Sequence, residues 1–309
     1  MVSVKDIGER GLIHKAMNII RPYPHPGQRD DAVVIDDNTV VCTDIVSFDR
    51  HLSEGMSYEE FGWMAVAVNF SDLASMGAIP KYFLSAVSIP ENLDEKNFTD
   101  IISGMEECAE ACDAYIVGGD TKFGQGLIAG TAIGSLEDRK PLLRSGARPG
   151  DIVAVTGSLG SAAAGYFSLK NKIDGIPLSS LRTPIPRIKE GIALSKSGAV
   201  TSCTDLSDGL AEGAKCICFS SHTGMDIHME FIPEGEGVSA VSDALSMDKK
   251  DLVLYWGGDY ELLFTFDKRK IDLLYDYDID FSVIGMVTND KFPFISHNGE
   301  RRVIRSGRY

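Results

Sequence analysis

A chain of 309 residues with 44% hydrophobic content can bury a sizeable core and exceeds the length of most single domains, so two domains are expected. Its 30 Lys and Arg stand against 45 Asp and Glu, and a net charge of −15 argues against nucleic acid or an anionic membrane as partner. The opening MVSVKDIGER has no apolar signal core and no apolar run approaches the roughly 20 residues of a membrane span, so a cytoplasmic protein is expected.

The first elements are a short amphipathic stretch, GERGLIHKAMNII, and RPYPHPGQ, which its three prolines fix as extended loop. DAVVIDDNTVVCTDI reads as two strands joined by a polar turn at Asp36 and Asp37. Such a hairpin presents Asp31 at one open end and Thr43 and Asp44 at the other. SYEEFGWMAVAVNFSDLASMGA is helical, with Ser57 as N-cap, Glu60 as capping-box partner and Gly77 as stop. Polar Asn69, Ser71 and Asp72 interrupt its apolar surface. The strand KYFLSAVSIP, the helix NFTDIISGMEECAEACDA, the strand YIVGGDT running into a glycine loop, and the strand GLIAGTAIGSL complete an α+β domain. The six cysteines include no Cys-x-x-Cys pair, and Cys108 and Cys112 read as small buried side chains on one helical face.

EDRKPLLRSGARPGD, polar and carrying Pro141 and Pro149, makes the domain boundary, giving units 1–138 and 139–309. The second unit opens with the strand DIVAVTG, a Gly-Ser-Leu-Gly-Ser loop and a small-residue helix, then the helix TPIPRIKEGIALSKSG. AVTSCTD is a strand ending on Asp205, and LSDGLAEGAKCICFSSHTG is a helix opened by Ser207 and Asp208. DIHMEFIP, YELLFTFD and FSVIGMVT are further strands.

Asp31, Asp44, Asp72, Asp120, Asp205 and Asp208 stand in apolar or glycine-rich surroundings at the ends of these elements. Taken singly, each has a structural explanation, because Asp favours caps and turns; Asp208, beside Gly209, is the most easily explained as a cap. Taken together, carboxylates converging on one rim must share cations. Carboxylates with a Thr hydroxyl and water are the ligand set of Mg²⁺, which usually completes its octahedron with phosphate oxygens. Gly118 and Gly119 before Asp120 leave the backbone free to approach a polyphosphate. A carboxylate and a phosphate oxygen about 4 Å apart repel by roughly 4 kcal/mol at an effective dielectric of 20, so such a rim needs metal before it admits ATP. The chain has neither a Gly-x-x-x-x-Gly-Lys-Ser/Thr loop nor a His-Arg-Asp catalytic loop. TGSLGSAAAG offers a phosphate-loop candidate, and close helix-on-strand packing explains its small residues equally well.

In order, DDA, TD followed by His51, VNFSDLASMGA, GGDT, RSGARPGD, DLSDGL and DYELLF resemble the thiamine-monophosphate kinase family. That family shares a superfamily with aminoimidazole ribonucleotide synthetase, selenophosphate synthetase and a hydrogenase maturation factor. The resemblance implies ATP-dependent phosphorylation of thiamine monophosphate to thiamine diphosphate, with several Mg²⁺ ions as cofactors. It places the metals among Asp31, Cys42, Thr43, Asp44, Asp72, Asp120, Asp205 and Asp208, with Cys42 offering only its carbonyl. It assigns the nucleotide to Gly119, Asp120, Arg144 and Ser207, the thiamine substrate to His51 and Tyr309, and the catalytic roles to Asp44, Asp120 and Arg144. It also implies a homodimer whose N-terminal α+β domains pair their mixed or antiparallel sheets, with a C-terminal α/β sandwich domain. The chain departs from the family pattern at Arg29, where glycine is common, at Cys42, where serine is usual, and at Gly258, where glutamate commonly precedes the aspartate. Another ATP-dependent enzyme of the superfamily and a non-catalytic nucleotide-binding assembly factor are the competing readings.

Overall fold

A computed structural model of the chain describes residues 3–305. A first helix, α1 (Val4–Met17), is opened by a Ser3–Asp6 capping box. The hairpin follows as β1 (Val33–Val34) and β2 (Thr39–Ser47), with the Asp36 carboxylate accepting from the Asn38 and Thr39 amides at 2.8 and 2.6 Å. That bonding closes the turn in the usual aspartate manner. β2 continues three residues past Asp44, so this carboxylate lies inside a strand and not at its end.

A four-residue helix, α2 (Phe48–His51), leads to α3 (Tyr58–Ser75), whose first turn carries the reciprocal Ser57–Glu60 bonds of a capping box. β3 (Ile79–Ile89), α4 (Glu95–Ala111), β4 (Tyr115–Phe123) and β5 (Leu127–Ser135) complete a five-stranded mixed sheet in the order β1-β2-β5-β3-β4. Only β3 and β4 run parallel. α3 and α4 cover one face, where alternate residues of β5 are buried and Phe61, Phe70, Leu73 and Phe83 pack without solvent contact. No described helix covers the other face. Ile45, Tyr82 and Tyr115 there are 58%, 47% and 68% exposed, and β4 is exposed along nearly its whole length.

The second sheet has seven strands: β6 (Ile152–Thr156), β7 (Val200–Asp205), β8 (Gly224–His228), β9 (Leu262–Phe266), β10 (Phe281–Thr288), β11 (Pro293–His297) and β12 (Glu300–Val303). Their order is β12-β11-β8-β10-β6-β9-β7, mixed through the single parallel pair β8–β11. The longer helices of this unit include α5 (Ser161–Asn171), α7 (Ile188–Ser197) and α8 (Leu210–Ser221), with a one-turn helix, α6 (Ser179–Arg182), between the first two. β9 is buried at every residue because helices pack on both faces, Leu210, Ala214 and Ile217 on one and Leu194 on the other.

The DIHMEFIP strand is shorter than its sequence suggests, since β8 stops at His228 and a 3₁₀ turn, Met229–Phe231, follows. β11 and β12 escaped the sequence reading altogether, although Asn298-Gly299 between them is a hairpin signal. The units meet where α3 crosses α7 and where Trp63 Nε1 donates to the Pro184 carbonyl at 2.8 Å. No helix among the described residues is long and apolar enough to cross a membrane.

Candidate active site at the seam of the two sheets

The C-terminal half of α3 carries buried polar groups along its inner side: Asn69, Ser71 and Ser75 have no solvent exposure, and Asp72 lies among them. Asp31 arrives from the turn before β1, and Asp205 from the last position of β7. One oxygen from each of Asp31, Asp72 and Asp205 lies within 4.8 Å of the other two. Three elements, drawn from both units, thus deliver carboxylates to one point.

Such crowding disfavours full ionisation. Asp72 is held well above the ordinary carboxylate range by lost hydration and by the charges of Asp205, Asp31 and Asp44. Burial, then Asp31, push Asp205 up to about 7. Asp44 keeps an exposed edge, yet the protein around it, followed by Asp208 and Asp31, pushes it to about 6. Asp208 is therefore near enough to Asp44 for its charge to be felt there.

Arg144 supplies a counter-charge. Its Nη2 bonds Asp31, its Nε donates to Thr204 Oγ1 at 3.2 Å, and its backbone amide donates to Asp30 at 2.6 Å. Thr204 Oγ1 also donates to Asp31, at 3.1 Å. Burial works against the guanidinium charge, but Asp31 and the other acidic neighbours, Asp205 among them, together outweigh it and hold Arg144 above its ordinary range. Against Asp31, Asp72 and Asp205 this guanidinium leaves the cluster, among the described residues, with more carboxylates than bonded positive charge. Close-set oxygen donors of this kind fit a hard divalent cation such as Mg²⁺.

The remaining expected residues fall in different places. Asp120 does not join the cluster within one chain: it pairs with Ala86 on the open face of the first sheet, 65% exposed, with Lys122 Nζ at 3.7 Å. Gly119 lies beside it on β4. Thr43 spends its hydroxyl proton on the Gly130 carbonyl at 2.6 Å, so that proton points along the sheet and away from the carboxylates. The Cys42 thiol is buried and donates to the Asn69 carbonyl at 3.1 Å, which removes the sulfur from any metal role. His51 accepts the Ser47 amide on Nδ1 at 3.0 Å, and burial holds the ring below its ordinary pKa. Ser207 is exposed, with Oγ 3.3 Å from Asp205. Tyr309 lies outside the described residues.

Three readings of glycine-rich segments are revised. Asp208 does not cap α8; the N-cap is Gly209 at φ 87°, with no side-chain capping bond. The amides that would make TGSLGS a phosphate loop are already taken, since Asp259 accepts from Gly160 at 2.7 Å and Ala162 at 3.0 Å. Asp259 thus acts as a remote cap of α5. Gly258 sits at φ 92°, a conformation costly for glutamate, and its amide donates to the Ser207 carbonyl at 2.9 Å. The departure at 258 is therefore built into the backbone path beneath the site.

Residues 29–136 match the family model "AIR synthase related protein, N-terminal domain" and residues 148–297 the corresponding C-terminal domain. A thiamine-monophosphate kinase of Methanopyrus kandleri is 33% identical over 294 residues, covering 92% of each chain. The chain belongs to the thiamine-monophosphate kinase family. A kinase of the same name from Methanospirillum hungatei is 36% identical over 81% of each chain. Among solved structures, AaThiL complexed with AMPPCP and TMP superposes with a TM-score of 0.88 at 25% identity, over 99% of this chain and 98% of that one. The thiamine-monophosphate kinase of Stenotrophomonas maltophilia gives 0.77 at 26%, over 93% and 94%.

Reading this family member from sequence alone missed Asp30, Thr204 and Ser75. Asp30 holds the Arg144 backbone, Thr204 bridges Arg144 to Asp31, and Ser75 Oγ lies 2.8 Å from Asp31. Ser75 had a signal, as a further polar residue one turn after Ser71 on an apolar helix.

Proposed function

We propose that the chain transfers the γ-phosphoryl group of ATP to the phosphate of thiamine monophosphate, giving thiamine diphosphate and ADP. The convergence of Asp31, Asp72 and Asp205 beside Arg144 carries this reading. Bound Mg²⁺ would neutralise polyphosphate charge among these carboxylates, with Asp31, Asp44, Asp72, Asp205 and Asp208 as the residues that hold it. Arg144 fixes the Asp30-Asp31 turn and offers its remaining donors to a phosphate.

The acceptor phosphate has a second pKa of about 6 and is already largely ionised at neutral pH, so no strong protein base is required. His51, with Nδ1 committed to Ser47, acts as a binding residue through Nε2, and Ser207 as a contact to the nucleotide. In this reading residues 1–138 form the ATP, metal and pairing unit and residues 139–309 complete the site.

The same reading makes the protein a homodimer. An uncovered sheet face with Ile45, Tyr82 and Tyr115, flanked by the exposed strand β4, is the surface two copies would bury against each other. Pairing through that face lets Gly119 and Asp120 of the partner subunit serve the carboxylate cluster that they do not reach in their own chain. Incubation of the purified protein with Mg²⁺, ATP and thiamine monophosphate tests the proposal. Equal amounts of thiamine diphosphate and ADP are expected; ADP with free phosphate and intact thiamine monophosphate would overturn it, and nucleotide binding without turnover would favour an assembly factor.

A further inference from the structure

We infer that the buried polar stripe of α3, Asn69, Ser71 and Ser75, positions the carboxylates of three other segments around Asp72 and so sets the affinity of the metal site. The inference rests on the metal-dependent reading above and assigns roles to residues that touch neither metal nor substrate.

Each member of the stripe holds a different strand or turn. Asn69 accepts the Asp44 backbone amide on Oδ1 at 3.0 Å and anchors its own Nδ2 on the Ala65 carbonyl at 3.0 Å. Ser71 Oγ donates to Asp205 Oδ2 at 2.7 Å, joining the first unit to the second through two buried side chains. Ser75 Oγ lies 2.8 Å from Asp31 Oδ2 and equally far from the Asp72 carbonyl, so its one proton is shared between them. Asp72 stands between the serines on the same helix, which makes α3 the common ruler for Asp31, Asp44 and Asp205.

The surroundings are shaped for this stripe. A Cβ on Gly130, the β5 residue paired with Asp44, would lie 2.4 Å from Asn69 Nδ2 and 2.7 Å from the Phe83 ring. Three fully buried polar side chains on an otherwise apolar helix would be costly without partners. Here every one has a partner, and the partners belong to the site. Like-charged carboxylates repel one another, so without donors on their outer oxygens they would turn apart. Outer donors of this kind commonly change metal affinity 10- to 100-fold when removed.

The test measures binding of Mn²⁺ to the full chain, by electron paramagnetic resonance in the presence of a non-hydrolysable ATP analogue, so turnover plays no part. Ser71→Ala is expected to weaken Mn²⁺ binding about tenfold or more, and Ser71→Thr, which restores the hydroxyl, to recover most of it. Ser75→Ala gives the same loss and serves as the measurement if Ser71→Ala does not fold. Wild-type affinity in the folded alanine variants overturns the positioning role alone. Absence of Mn²⁺ binding by the wild-type chain overturns both this role and the metal-dependent function beneath it.

Discussion

Asp44 and Asp120 stand on strands of the first sheet with two others between them and face opposite ways, Asp44 toward α3 and Asp120 onto the uncovered face with Ala86. Two residues that the family pattern unites are therefore divided by the sheet itself. The proposed dimer would resolve the division. Asp44→Asn and Asp120→Asn should each abolish turnover while retaining the fold. Mixed after unfolding and refolding together, the two inactive variants should regain about a quarter of wild-type activity, since half the dimers are hybrids with one intact site. No recovery in the mixture would mean that both residues serve the same protomer.

Arg144 is bonded within the carboxylate cluster, tied to Asp31 and Thr204 by its side chain and to Asp30 by its backbone. Arg144→Ala should lower stability in chelator by about 3 kcal/mol, because it leaves Asp31 buried without its bonded counter-charge. Saturating Mg²⁺ should narrow that gap. Urea titrations with and without metal read both numbers, and an equal loss under the two conditions would contradict the shared role.

Asp205 at about 7 and Asp44 at about 6 titrate above an unfolded aspartate. Above roughly pH 4 the unfolded chain has shed protons that the folded one keeps, so raising the pH penalises the folded state. Metal-free protein should lose melting temperature steadily from about pH 5 to about pH 8. Mg²⁺ affinity should rise over the same interval, because the metal displaces those protons. A metal-free melting temperature that climbs with pH across this window would contradict the crowded cluster.

Gly130→Ala places a methyl against Asn69 and Phe83. The expected cost is about 1–3 kcal/mol of stability, as for other overpacked cores. Its denaturant midpoint should fall while the slope of the transition stays constant.

Cys42 donates its thiol to the Asn69 carbonyl from a buried position. Cys42→Ser keeps a donor there, so Mg²⁺ affinity measured by calorimetry should stay within roughly twofold of wild type. A sulfur ligand would instead show itself as a marked change in metal preference.

Local chemistry was legible. Ser57 and Glu60 announced the start of α3, Asp36 the hairpin turn, and the TD and SDG segments the carboxylates, because capping, turn and periodicity signals act over a few residues. Asp208 was misjudged for the same reason. Its position beside Gly209 matches a cap, but the backbone at φ 87° gives the cap to Gly209, and the charge of Asp208 acts on Asp44 instead. Asp259 closes the start of α5 from 97 residues away, a partnership that no local signal announces.

The sequence by itself determined most of the strands and helices of the first unit, which carboxylates sit in apolar company, and to which family their order belongs. Only the tertiary structure decided which of them meet. Asp31, Asp72 and Asp205 converge because α3 is buried between the two units and offers Ser71 and Ser75 as donors at its inner side. Asp120 is turned away because side chains alternate along a strand, and one residue's difference in register separates a buried site from an open face.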